Sequence, residues 1–195
     1  MKFTKILGAA AVAAMALMAF ASSASATTLE VGGAAKNAEV AIEATLKSGT
    51  SALLTDTAGF AANTCVSSTV KGHTEKTFTV AGTGAISGPI TALAWGGCTE
   101  GNPVVDSMGT LSVEWIKGSP TNGTVRSNGA KVTVPSFFGT LTCTTENTDI
   151  GTLTGVKVGF ATMDINGVLK CTIISTAKWT GTYTVTSPEG LGVVE

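Results

Sequence analysis

Between residues 38 and 47 the chain alternates: Val40, Ile42, Ala44 and Leu46 take one parity, while Glu39, Glu43, Thr45 and Lys47 take the other. A period of two is that of a strand with one buried and one wet face, whereas a helix would repeat every 3.6 residues. Further strand-like runs are expected at residues 51–55, 64–70, 76–81, 90–95, 110–116, 124–126, 131–134, 139–145, 152–160, 169–175 and 178–186. Asn122-Gly123, Asn128-Gly129 and Asn166-Gly167 offer the positive φ angles of tight hairpins, and Ser119-Pro120 ends the strand before it. Many short strands with frequent turn signals, and no fixed repeat, predict an all-β fold, an antiparallel β-sandwich or a flattened barrel.

The C-terminal strand shows the pattern most sharply. Trp179, Tyr183 and Val185 share a parity with the small Gly181, against Lys178, Thr180, Thr182, Thr184 and Thr186. Cys171 and Ile173 continue the core parity, with a bulge or break expected between Ser175 and Lys178, because an unbroken run would be unusually long. Leu141 and Cys143 alternate against Thr140, Thr142 and Thr144, which turns Cys143 inward as well.

The first 26 residues change the picture from domain to address. Lys2 and Lys5 precede an apolar run from Ile6 to Phe20, and small residues follow, ending in Ala24-Ser25-Ala26. This is the pattern of a secretory signal peptide cleaved after Ala26, so residues 27–195 form one β domain. Threonine accounts for 32 of those 169 residues, in keeping with strands that have wet faces. Removing Lys2 and Lys5 from the 12 basic residues leaves 10 against 13 acidic ones, a net charge of −3. Such a chain has no basic stripe for nucleic acid. The tail holds no second apolar anchor, which implies no membrane span after signal removal.

Four cysteines, Cys65, Cys98, Cys143 and Cys171, remain in the exported part, and an even number in an oxidising compartment reads as two disulfides. Three connectivities are possible; the shortest loops favour Cys65–Cys98 and Cys143–Cys171. Zinc fits poorly, since there is no C-x-x-C and His73 is the sole histidine.

The second half, with FGTLTC at 138–143, Cys171 and WTGTYTVTSPEGLGV at 179–193, resembles a group of uncharacterised secreted β-rich proteins of actinobacteria with paired cysteines. The resemblance covers residue 64 to the C-terminus. It implies export and a β domain, and it brings no catalytic residue with it.

Candidate chemistry is sparse. His73, beside Glu75 in KGHTEK, could be a base or a ligand, but a charged turn suits it better, because no nucleophile lies nearby. Glu146 and Asp149 could form the carboxylate pair of a glycosidase, yet they share one polar loop in TTENTDIG, where a solvated turn is the simpler reading. Asp164-Ile165-Asn166-Gly167 is too short a fragment for a calcium loop. No G-x-S-x-G elbow, phosphate loop or cofactor motif is present. Trp95, Trp115 and Trp179 could make a sugar platform but fit a core better. Thr-x-Thr recurs at 77–79, 140–142, 152–154 and 182–184 and reads as solvent-facing strand.

The expectation is an exported, non-enzymatic β domain that acts in binding, packing or assembly at or outside the cell surface, without a cofactor and with self-association open to it. A secreted hydrolase using carboxylates brought together by folding is the first alternative. An outer-membrane pore is the second, and inward cysteines with wet threonine faces count against it.

Overall fold

A computed structural model describes residues 26–75 and 84–195. The expected leader, apart from Ala26, and the expected strand at 76–81 with its Thr-x-Thr ladder lie outside the described residues. Fifteen strands follow in order: β1 (Thr28–Val31), β2 (Ala34–Ala35), β3 (Ala41–Leu46), β4 (Ala52–Thr55), β5 (Ala61–His73), β6 (Ile86–Cys98), β7 (Val104–Ser107), β8 (Thr110–Trp115), β9 (Gly123–Asn128), β10 (Lys131–Val134), β11 (Leu141–Thr144), β12 (Thr148–Thr154), β13 (Thr162–Cys171), β14 (Thr176–Ser187) and β15 (Leu191–Val194). No described helix is long and apolar enough to cross a membrane.

The strands close into an eight-stranded antiparallel barrel. β3 and β4 lie end to end as one interrupted staff, because each pairs with both β5 and β14. From there the order is that of the sequence: β5, β6, β8, β9, β12, β13, and β14, which returns to β3 and β4. β7, β10 and β11 extend one part of this wall upward, with β10 pairing β11 on one side and β7 on the other.

Alternation sorts the side chains. Along β13, Met163, Ile165, Leu169 and Cys171 are buried, while Asp164, Asn166, Val168 and Lys170 are exposed. Leu141, Leu153 and Tyr183 face inward between the threonines that flank them. The outer surface carries the ion pairs Glu43–Lys71, Asp149–Arg126 and Glu146–Lys170. This polar-out, apolar-in arrangement is the reverse of a lipid-facing barrel.

The two ends are finished differently. Across the lower end lies a separate sheet, β2-β1-β15, whose Leu29, Leu191 and Val193 join the barrel core beside Val125 and Tyr183. Thr27 locks this plug in place: its backbone N–H donates to Gly84 O at 2.7 Å, and its Oγ1 accepts from Trp115 N at 2.9 Å. At the upper end both disulfides form between directly opposed residues of neighbouring strands: Cys65–Cys98 joins β5 to β6, and Cys143–Cys171 joins β11 to β13. The loops of this end expose Phe60, Phe137 and Ile173.

Three expectations need correction. Asn166-Gly167 is not a turn; it lies inside β13, where Asn166 pairs with Thr180 and Gly167 with Trp179. Both flanks of the pair hydrogen-bond to β14, so they cannot fold back on each other. The glycine serves close packing instead, since a Cβ there would stand 3.0 Å from Ile150 Cα. Ile173 does not keep the core parity. It is 68 % exposed with φ of 67°, in the turn between β13 and β14, an uncommon conformation for a β-branched residue. Asn122-Gly123 is displaced by a step: the turn is made by residues 116–122, with Ile116 N donating to Asn122 O at 3.0 Å, and Gly123 already begins β9. Only Asn128-Gly129 bends the chain with a positive φ, 73° at Gly129.

With loops of 33 and 28 residues, each disulfide is expected to contribute about 3–4 kcal/mol by restricting the unfolded chain. The double variant Cys143→Ala/Cys171→Ala should lower the unfolding free energy from denaturant titration by that amount, and peptide mapping without reduction should find no crossed linkage.

Candidate functional site

The barrel interior holds two cavities arranged end to end. The upper one, of about 80 Å³, reaches from Leu54 and Cys143 down to Ile165 and is walled largely by apolar side chains. The lower one, of about 100 Å³, lies above the plug residues Leu29, Leu191 and Val193. Val70, Ile90, Leu111 and Met163 line both and so form the partition between them. Met163 is the most adaptable of the four, being unbranched and thioether-tipped.

Aromatic groups hold one side of the upper cavity. Trp179 meets Trp95 edge-on with centroids 6.0 Å apart and Tyr183 with centroids 6.3 Å apart. These rings come from β6 and β14, which put them inside through the alternation that turns Thr180, Thr182 and Thr184 outward. Tyr183 is fully buried, and its hydroxyl donates to Ser68 Oγ at 3.0 Å. Burial pushes the phenol pKa up to about 12, against the opposing hydrogen bonds of Ser68 and Trp95.

The remaining polar groups are few and placed. Asn63, 3 % exposed, closes the top: its Nδ2 donates to Gly101 O and Pro135 O, both at 2.9 Å. Ser127 and Thr145, on the inner side of the wall where β9 passes into β10, meet through their hydroxyls at 3.0 Å. Thr145 Oγ1 also accepts from Ala130 N at 3.2 Å.

Beside the upper cavity one seam of the wall carries no strand ladder among the described residues. Below it, β6 pairs with β8 through residues 86–89, and Ile90 N donates to Gly109 O at 3.1 Å. Above, residues 91–97 of β6 pair with β5 alone, and β7 pairs with β10 alone among the described residues. Leu93, Trp95 and Pro103 border the cavity at this seam.

The titratable candidates do not converge. His73 sits at the lower rim with Nε2 4.0 Å from Glu39 Oε1. Glu146 pairs with Lys170, whose hydrogen bond and charge hold its carboxyl below the usual range. Asp149 is taken by Arg126, which also reaches Glu114 at 3.4 Å. Glu146 and Asp149 are therefore paired with different cations on the outer surface. Asp164 accepts from Thr182 Oγ1 at 2.8 Å, likewise on the outside. No cluster of three or more metal-ligating side chains occurs among the described residues. Trp115 packs against the core, and its Nε1 donates to Ser119 O at 2.9 Å, so the three tryptophans do not form one platform.

Parity alone would place Val70, Ile90 and Met163 inside, but not as a partition, since that depends on how opposite walls meet. Ser127 carried a usable signal: it shares the inward parity of Val125, where an apolar residue would be the default.

Tyr183 is the sole tyrosine of the chain. Its ionisation should appear near pH 12 by ultraviolet absorbance in the folded protein and near pH 10 in denaturant. Because the folded pKa is the higher one, this group's contribution is complete below pH 10, and stability should fall as pH rises from about 10 to about 12. Tyr183→Phe should remove that part of the alkaline loss.

The chain matches no known protein-family model, no curated protein and no solved structure.

Proposed function

We propose that this is an exported, non-enzymatic carrier or sensor barrel that takes a small apolar molecule into its interior. The observation that carries the reading is the pair of apolar cavities stacked inside the barrel and divided by four side chains. A cavity of about 150 Å³ lined by aliphatic and aromatic groups is enough for benzene. The two together reach this scale only when the partition yields, and Met163 is its most mobile part. Sites for long-chain lipids and drug-sized ligands run to about 300–1,000 Å³, so the reading is of a compact ligand. The open seam gives it a route through the wall without unfolding an end.

Export is supported by three features: the leader pattern, two disulfides and the way the fold begins. Thr27, the first residue expected after cleavage, is 3 % exposed and bonded into the plug. N-terminal sequencing of protein recovered from outside the cytoplasm should read Thr-Thr-Leu-Glu-Val; a mature chain beginning beyond Thr28 would count against it.

Binding is tested with probes. Benzene should raise the melting temperature and perturb the fluorescence of Trp95 and Trp179. Met163→Ala should bind n-hexane more tightly than the wild type, because it joins the two cavities, even though the truncation costs about 2–5 kcal/mol of stability. If neither protein is stabilised by either hydrocarbon, the interior is packing void and the reading fails.

A further inference from the structure

We infer that the upper cavity selects a ligand carrying one hydrogen-bond acceptor, a carbonyl or ether oxygen on an apolar body, and that the Ser127–Thr145 hydroxyl pair supplies the donor. The inference rests on the cavity-binding reading and adds to it the chemistry of the ligand's polar end.

Proton counting carries it. Both residues line the cavity and are buried, Ser127 at 4 % and Thr145 at 7 % exposure. Between them they own two hydroxyl hydrogens. One is used in the bond between the two oxygens, 3.0 Å apart, whichever residue donates. Among the described residues, their only other side-chain hydrogen bond is the one Thr145 Oγ1 accepts from Ala130 N, which uses a lone pair and no hydroxyl hydrogen. One hydroxyl hydrogen is therefore left without an acceptor beside an apolar space. Satisfying the Ala130 amide needs Thr145 alone, so Ser127 is surplus to the bend of the wall. A valine or alanine at 127 would bury no polar atom, whereas a hydroxyl buried without full partners is costly. A ligand oxygen above the pair would accept the spare hydrogen, while its apolar body lies against Met163, Ile165 and the Trp179 ring, all on the cavity wall. A cation has no counter-charge here and a free carboxylate none either, which restricts the head group to a neutral acceptor.

Cyclohexanone and methylenecyclohexane, which fit when Met163 gives way and the two cavities join, test this, since they differ by an oxygen in place of a methylene. Calorimetric or NMR titration should give an affinity ratio, ketone over alkene, that falls about threefold to tenfold from the wild type to Ser127→Ala/Thr145→Val. Each single variant keeps one hydroxyl hydrogen free for the ligand and should retain most of the preference, a pattern that simple loss of wall structure would not produce. The carbonyl stretch of bound cyclohexanone in the wild type should lie at the hydrogen-bonded frequency, and this readout stands even if the double variant does not fold. An unchanged ratio in a folded double variant, or a wild-type stretch at the value seen in alkane solvent, overturns the hydroxyl anchor while leaving the cavity reading intact. Failure of the wild type to bind either probe overturns both.

Discussion

Every backbone amide in a sheet needs a neighbour, and the structure is organised around the places where that requirement closes on itself and the one place where it does not. Antiparallel pairing runs round the lower half of the barrel without a break, from β3 to β14 and back. A closed ladder has no edge to protect, and it fixes parity: once Tyr183 and Val185 face inward, their neighbours Leu46 and Ala44 on β3 are brought alongside them. In the upper half the ladder parts between β6 and β7. The cavity lined by the Ser127–Thr145 pair is the one beside this gap, so the irregularity and the candidate chemistry share a location.

The disulfides lie at the end of the barrel where the ladder parts. The lower end is held by burial, through the plug strands and their Leu29, Leu191 and Val193. Among the described residues the upper end has no such plug. There Cys65–Cys98 clamps β6 to β5 next to the unpaired edge, and Cys143–Cys171 ties β11 to β13 beyond the reach of β12, which pairs with β13 only through residues 151–154. A bridge across an open end restricts fraying without filling the interior, which an apolar plug could not do. Stability and an accessible cavity are thereby separated in space.

Much of the fold was legible because alternation is a local signal. Val40 to Leu46, Leu141 to Cys143 and Trp179 to Val185 each show their buried face within a few residues, and the cysteine pairing followed from loop length and inward parity. Asn166-Gly167 misled because turn chemistry is only a local permission. The long register between β13 and β14, nine consecutive residue pairs, overrides it. Sandwich and barrel could not be told apart for a similar reason: the pairing of β14 with β3 and β4, which closes the cylinder, joins segments more than a hundred residues apart and leaves no mark in either. The candidate site was legible in part. A serine at an inward position could be seen, and Thr145 keeps the inward parity of Leu141 and Cys143, but that the two hydroxyls meet is revealed only by the folded wall.

Strand order sets an order of events as well. Apart from the plug, neighbours in the barrel are neighbours along the chain until β14, whose pairing with β3 closes a loop of well over a hundred residues. Loop-closure entropy makes such a contact late and slow compared with hairpins. A chain threaded outward N-terminus first would therefore display two open edges, those of β3 with β4 and of β13, until the residues from Thr176 onward had emerged. During that interval the barrel is an unrolled sheet with its apolar face uncovered. If the chain is exported in this way, its greatest exposure to misassembly falls in transit, and its final strand acts as the latch that ends it.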